Sequence, residues 1–393
     1  MVKYILKASA FLSLSLLLSC QEPVIEPTAV CTIAPTTANH PKATVYQSVI
    51  DKYIQAGLPG IAVLVRDKNG TWAGSGGQAD IKENTPMRPC HISKTASLTK
   101  IFIAALTLKL VEEGKLRLEE KLTERLPAKI TSNIQNAETA TLGSLLNHTS
   151  GIFDFSNNDN FYLALLNHPT KKWKPEELLK FAYGQDAKFP TGTSSGYSNT
   201  NTVLATMVIE AATGKSHAAL LREKILTPLG LSDSYYYWQE ALPANGVAQG
   251  YFDLYNNNTL VNVSSYNTGT GNGLNGLYCN VFDLQKFIDA LLRHKTLLSQ
   301  SSINTMLTFD DLIENRKYLG LGLFKDYIDG NFKENEFGYG HRGRDLGYSA
   351  DMFYFPNQDV TVTLLVNYGT NAESNLQDTF LDFRYEIADK AIH

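Results

Sequence analysis

The pattern of hydrophobic and polar positions changes several times along this chain, and the changes divide it. Residues 8–18 ("ASAFLSLSLLL") form a short apolar run behind Lys3 and Lys7. Residues 21–44 ("QEPVIEPTAVCTIAPTTANHPKAT") have no hydrophobic period and are rich in Pro, Thr and Ala, which predicts an extended tether. A first helix is expected from Val45 to about Gln55. "GIAVLVRD", "KNG" and "TWAGSGGQAD" then read as strand, turn and strand, a β-hairpin. A helix over 95–113 follows, apolar nearly all round, and residues 115–320 read as helical pieces and loops. "YSADMFYFPNQDVTVTLLVN" gives two β-rich runs about a P-N-Q-D turn, and an amphipathic helix over about 372–391 closes the chain.

Helix–strand–strand at one end and strand–strand–helix at the other, with helices between, predict an α+β fold. In it an antiparallel sheet carries the terminal helices and a mainly helical lobe is inserted beside it. The expected division is a leader over 1–19, a tether over 20–44 and one domain over 45–393. Residues 45–94 and 320–393 would form the α/β lobe and 95–319 the helical lobe. The chemistry is expected in the cleft between the lobes.

Bulk properties narrow the function. The chain has 393 residues, 43% of them hydrophobic and 19% charged, and a net charge of −4. Without a concentrated basic face, a nucleic-acid partner is not expected. The apolar run 8–18 is shorter than the roughly 20 residues needed to span a bilayer, so a cleaved signal peptide is expected. It ends in L-L-S-C (Leu17–Cys20), which resembles the bacterial lipoprotein signal, in which the Cys is lipidated. Gln21 after Cys20 leans towards an outer membrane by the same resemblance. Cys31, Cys90 and Cys279 would remain after processing, an odd number; a Cys31–Cys90 bridge is one option. No CxxC or HExxH spacing occurs, so a metal site is not expected; no other cofactor is expected either.

The sharpest feature is "SLTK", residues 97–100, at the head of the all-apolar helix. An ammonium there costs several kcal/mol unless it is paired or hydrogen-bonded. Ser97 lies three residues before Lys100 and shares its helix face. An amine beside a hydroxyl can take its proton and make a nucleophile, while the free N–H groups of a first helical turn favour an oxyanion. The alternative is a capping Ser and a Lys that snorkels to solvent. No other Lys has a Ser three residues before it.

At this point the sequence resembles the penicillin-recognising serine enzymes: class C β-lactamases, D-alanyl-D-alanine carboxypeptidases and related esterases. "SLTKIFIAALTLKLVEEGKL" is similar to their S-x-x-K helix and "LLNHTSG" (145–151) to L-L-x-H-T-S-G. "FPTGTSSGYSNTNTVLATMVIEAATG" is similar to the Y-S-N segment and its helix. "GLYCNVFDLQKF" (276–287) resembles G-L-x-S-x-x-D-L-x-x-F, and "GHRGRDLGYSADMFYFP" resembles an H-x-G form of the third motif. The resemblance runs over about 45–392. Y-x-N occurs at Tyr197, Tyr255 and Tyr278, and only Tyr197 has the Pro-Thr-Gly approach and the apolar helix after it. "GTSSG" (192–196) fits a nucleophile elbow without its strand. "GNGLNG" (271–276) fits G-x-G-x-x-G without a strand–helix unit and is expected to be a flexible loop near the cleft.

The resemblance implies that Ser97, Lys100 and Tyr197 are catalytic. Ser97 would form an acyl-enzyme, and either Lys100 or Tyr197 would be the first base. The Tyr197 phenol would be biased towards phenolate by the Lys100 ammonium and would also protonate the leaving group. Asn199 would orient the substrate amide and Lys100. His341 would border the cleft and bond Tyr197 or the leaving group. Gly343 would let substrate backbone approach the strand edge, and the Arg344 N–H would share an oxyanion hole with that of Ser97. Arg342 replaces a small hydroxyl residue; by strand alternation it is expected to face solvent, though a charged fork from Arg342 or Arg344 is the alternative. His148 is expected to be structural.

The expectation is thus a lipid-anchored serine hydrolase of the cell envelope, on the periplasmic side or at an outer membrane, monomeric. Its substrate would be a D-amino-acid peptide of peptidoglycan type, with an ester or β-lactam as the alternative small acyl substrate. A binding protein without turnover is the alternative of another class.

Overall fold

The computed structural model describes residues 39–244, 246–309, 318–327 and 335–393. The leader, Cys20, Cys31 and the tether up to residue 38 lie outside them; residues 43 and 44, expected in the tether, already belong to the first helix, Ala43–Gln55. Cys90 is disulfide-bonded, and Cys279 is a buried free thiol.

One seven-stranded sheet organises the chain. Its strands are β1 (Gly60–Asp67), β2 (Gly70–Asp80), β3 (Thr85–Pro86), β4 (Phe324–Tyr327), β5 (Phe337–Arg344), β6 (Ser349–Phe355) and β7 (Val360–Val366). They lie in the order β3-β2-β1-β7-β6-β5-β4, and every pairing is antiparallel. The two ends of the chain therefore meet at β1 and β7, with Ile61 opposite Val366. The expected hairpin is β1–β2, and the P-N-Q-D turn joins β6 to β7.

β1 is buried along its whole length because both faces of the sheet are covered. Ile61, Val63 and Val65 point to the outer layer, and Ala62 and Leu64 to the inner one. The outer layer is α1 (Ala43–Gln55) with a C-terminal helix, Gln377–Ile392. Apolar residues one turn apart make their inward stripes: Tyr46, Val49, Ile50 and Tyr53 on the first, Phe380, Phe383 and Ile387 on the second. The C-terminal helix starts about five residues later than its apolar pattern suggests.

On the inner face lie α2 (Thr99–Glu112), α3 (Asn199–Thr213) and α4 (Val281–Ile288), in one continuous core. The sequence from 95 to 319 is mainly helical, as expected, but not wholly so. Ser93–Lys94, Leu277–Cys279 and Tyr235–Tyr236 form a small sheet. Phe252 and Val263 join the outer-layer core instead of the helical lobe.

Ser97 does not sit inside α2. It lies in a 3₁₀ turn, Ala96–Leu98, just before that helix. Ala96 has φ of +51°, a left-handed conformation that a residue with a Cβ adopts under strain. The turn is pinned on both sides: Thr95 N–H and Oγ1–H donate to the Leu277 carbonyl, and Leu277 N–H donates to Thr99 Oγ1. β5 presses on it from the third. A Cβ at Gly343 would stand 2.1 Å from the Thr95 carbonyl oxygen and 3.2 Å from Ala96 Cβ. The glycine therefore admits the chain's own Ser97 turn, a requirement separate from the expected approach of substrate backbone.

Gly343→Ala is accordingly expected to destabilise the protein by about 1–3 kcal/mol, the usual range for an overpacked site that must shift backbone. A lowered thermal midpoint relative to wild type checks it; an unchanged midpoint would contradict the contact.

Candidate active site

Five of the expected residues converge on one cleft of about 340 Å³ between the sheet edge and the helical lobe; Ser97, Tyr197, Asn199, His341 and Arg344 line it. Lys100 lies directly beneath. β4 pairs with β5 only as far as Gly340, so, among the described residues, 341–344 have no strand partner on the side towards the cleft.

Lys100, the second residue of α2, is 2% exposed. Its Nζ donates to Asn199 Oδ1 at 2.8 Å and to the Leu274 carbonyl at 2.8 Å, and it lies 3.0 Å from Ser97 Oγ. Burial holds its pKa down at about 7; the carboxylates of Asp154 and Asp345 pull in the other direction. Because Asn199 is the first residue of α3, its side chain is fixed by that helix. Its Nδ2 donates to Asp154 Oδ2 at 3.3 Å and to Ser156 Oγ at 3.0 Å. Asp154 and Leu274 carry no signal of a role in the sequence: one is a lone acid in a loop, and the other contributes only a backbone oxygen.

Tyr197 Oη–H donates to Ser97 Oγ at 2.9 Å, and Lys100 Nζ stands 5.0 Å from its ring centre. The expected bias towards phenolate does not occur. Burial pushes the phenol pKa up, against a smaller downward pull from the Ser97 hydrogen bond, so the group is a neutral donor. The choice among the three Y-x-N matches is explained by place: Tyr255 is 70% exposed, and Tyr278 is buried in a strand paired with Lys94.

His341 borders the cleft, but its Nδ1 donates to the Arg342 carbonyl at 2.7 Å, not to Tyr197. Burial, with the Lys100 charge nearby, lowers its pKa well below the usual imidazole range. The ring is therefore neutral, with Nε2 as an acceptor. Strand alternation puts Arg342 and Arg344 on the outer side. Arg344 Nη1 is 2.8 Å from Asp351 Oδ1 and also donates to the Gly343 and Ala350 carbonyls, so its side chain forms no substrate fork. Arg342 is not simply in solvent. It lies over the Phe324 ring, 3.4 Å from Asp326, and reaches the cleft rim.

His148 is structural in its contacts. It accepts from Ser198 N–H at 3.3 Å and Asn201 Nδ2 at 3.2 Å, and burial holds its pKa at about 3. Ser195 donates to the Asn147 and His148 carbonyls, which ties the 192–196 loop down as a brace. The 271–276 loop is buried, not free. Gly273 packs against Thr202 and Thr206 of α3 and donates its N–H to the Tyr236 hydroxyl. No cluster of three or more His, Cys, Asp or Glu that could hold a metal occurs among the described residues.

This arrangement can activate a hydroxyl. A family model described as Beta-lactamase matches residues 46–386. Penicillin-binding protein 4 of Amycolatopsis lactamdurans is 30% identical over 156 residues, 38% of this chain and 38% of that protein. The D-alanyl-D-alanine-carboxypeptidase/endopeptidase AmpH of Escherichia coli K12 is 26% identical over 48% of this chain and 49% of its own length. The aligned part thus spans half or less of these curated relatives. Among solved structures, a D-stereospecific amidohydrolase from Streptomyces is 28% identical with a TM-score of 0.74, over 84% of this chain and 95% of that one. The match to the family model over most of its length makes this chain a member of the beta-lactamase family, with the serine β-lactamase/transpeptidase fold and serine-hydrolase relatives.

Proposed function

We propose that the protein is an acyl-transfer hydrolase in which Ser97 attacks the carbonyl of a D-amino-acid peptide or amide. One observation carries the reading: at the cleft floor, Ser97 Oγ lies 3.0 Å from the Lys100 amine and 2.9 Å from the Tyr197 hydroxyl. As a neutral amine, Lys100 has two N–H bonds for the two fixed oxygens of Asn199 and Leu274. Its lone pair is then left for the Ser97 hydroxyl. Lys100 takes the Ser97 proton as Oγ bonds to the carbonyl carbon, and the tetrahedral oxyanion is received by the backbone N–H groups of Ser97 and Arg344. Collapse breaks the bond to the leaving nitrogen, which takes a proton from Tyr197. Tyr197 recovers one from Lys100, and water cleaves the acyl-enzyme.

The choice of substrate rests on the likeness to the D-stereospecific amidohydrolase and on the charge of the leaving-group side. His341 offers an uncharged acceptor there, and Arg342 and Arg344 are paired with Asp326 and Asp351. That favours a neutral leaving group, such as an amide or an internal peptide bond, over a free C-terminal carboxylate. Envelope anchoring through Cys20 is part of the same proposal and rests on the L-L-S-C sequence alone.

Intact mass after treatment with a fluorophosphonate or penicillin is expected to show one adduct on wild type and none on Ser97→Ala; an adduct that survives the substitution ends the assignment. The activity against an uncharged D-aminoacyl amide is expected to exceed that against the matching peptide acid. Below pH about 7 the Lys100 amine holds its extra proton and has no lone pair, so kcat/KM should rise as pH increases through about 7. Lys100→Arg, which keeps the charge but cannot lose a proton, should lower kcat by about 10²–10⁴. Palmitate labelling of cells is expected to mark the wild-type chain and to miss Cys20→Ser.

A further inference from the structure

Asp154 lies in the loop after the 145–151 turn, away from Ser97 in sequence and touching neither Ser97 nor Lys100 directly. The residue is 4% exposed. Oδ1 accepts from Ser156 N–H at 3.1 Å and Ser156 Oγ–H at 2.9 Å, and Oδ2 accepts from Asn199 Nδ2 at 3.3 Å. Asn199 Nδ2 makes its second bond to Ser156 Oγ at 3.0 Å. Three of these four bonds end on the acid, and the fourth ends on the hydroxyl that donates to it.

We propose that Asp154 is a positioning residue that sets the direction of proton transfer between Ser97 and Lys100. An ionised carboxylate only accepts hydrogen bonds. Both hydrogens of the Asn199 amide are therefore consumed on the Asp154 side, one by the acid and one by the Ser156 oxygen that the acid orients. Only the amide oxygen remains for Lys100. Lys100 must then donate to Asn199 Oδ1, as it does to the Leu274 carbonyl, and the remaining position of its nitrogen faces Ser97. If the acid were an amide, the ring would lose its fixed polarity. Asn199 could turn its NH₂ towards Lys100, and the lone pair meant for Ser97 would be drawn to it instead.

Asp154 also acts by charge, and its neighbours on every side of Lys100 define that effect. Facing Lys100 are the carboxylates of Asp154 and Asp345, the neutral rings of His148 and His341, and the neutral Tyr197 phenol. Asp345 is already matched by Lys94, 2.6 Å away. Asp154 instead meets an N–H, a hydroxyl and an amide, which leave its charge free to act on the amine. Removing that charge makes the ammonium less favourable, so Lys100 would stay neutral to lower pH.

The inference rests on the reading of Lys100 as the base, and one experiment separates the two. The pH dependence of kcat/KM for an uncharged D-aminoacyl amide would be measured for wild type and for Asp154→Asn, with thermal melts of both. The expected result is an acid limb that moves to lower pH by about one unit and a plateau that falls by about ten- to a hundredfold through misorientation. A plateau that falls with the limb left in place overturns the inference, because a merely structural role lowers activity without moving the limb. A wild-type profile with no acid limb removes the reading beneath it. Should Asp154→Asn not fold, Asp154→Glu keeps the acceptor-only charge; its limb is expected to stay with that of wild type, and a limb moved downwards overturns the proposal.

Discussion

Burial of one amine without a carboxylate in contact is the constraint around which this site is built. Lys100 needs partners for its hydrogens inside an apolar helix bundle, and it finds two uncharged oxygens and a hydroxyl. An aspartate in direct contact would have paired the charge and fixed the proton on the amine. Carbonyl oxygens satisfy the N–H bonds in either protonation state without strongly favouring the charged one. That is how a lysine with ordinary chemistry comes to titrate near neutrality.

The scaffold follows from the need to hold those oxygens still. Leu274 belongs to a loop locked against α3 by Gly273 and the Tyr236 hydroxyl, and Asn199 begins α3 itself. His148 and Ser150 then tie the 145–151 turn to the same helix end through Asn201. Ser97 is brought in by a strained turn trapped between β5 and the Leu277–Cys279 strand. Three separate stretches of chain thus fix one hydroxyl from three directions, and only the side facing the cleft is open.

How much of this is legible in the sequence depends on whether a signal is local. Ser97 and Lys100 are three residues apart, so their shared face could be read directly. Tyr197 could be read because Pro190, Gly192 and the helix after it mark a turn of the right kind. The terminal helices and hairpin came from periodicity and turn residues, with ends off by a few positions because capping there is weak. Phe252 and Val263 were not assignable to the outer layer, since an apolar residue in a loop does not name its partner. The Leu274 carbonyl was invisible because every residue has one. The Tyr197 phenol departs from its expected state for a related reason: proximity to a lysine is suggested by motif order, whereas the depth of burial that outweighs it is a property of the assembled fold.

Gly343 and His341 illustrate a subtler point about motifs. A glycine beside a substrate-binding edge can serve the ligand or the chain itself, and sequence offers no means to tell. Here a Cβ would meet the Thr95 carbonyl first, so the residue is needed before any ligand arrives. His341 is expected to bond Tyr197 or a leaving group, yet the Arg342 carbonyl takes its Nδ1 proton and burial keeps the ring neutral. Its remaining ring nitrogen, Nε2, is thus an acceptor in place. A substrate N–H or hydroxyl answers that acceptor, while a carboxylate would face it lone pair to lone pair. The same desolvation that frees the Lys100 lone pair therefore also shapes what the cleft can recognise.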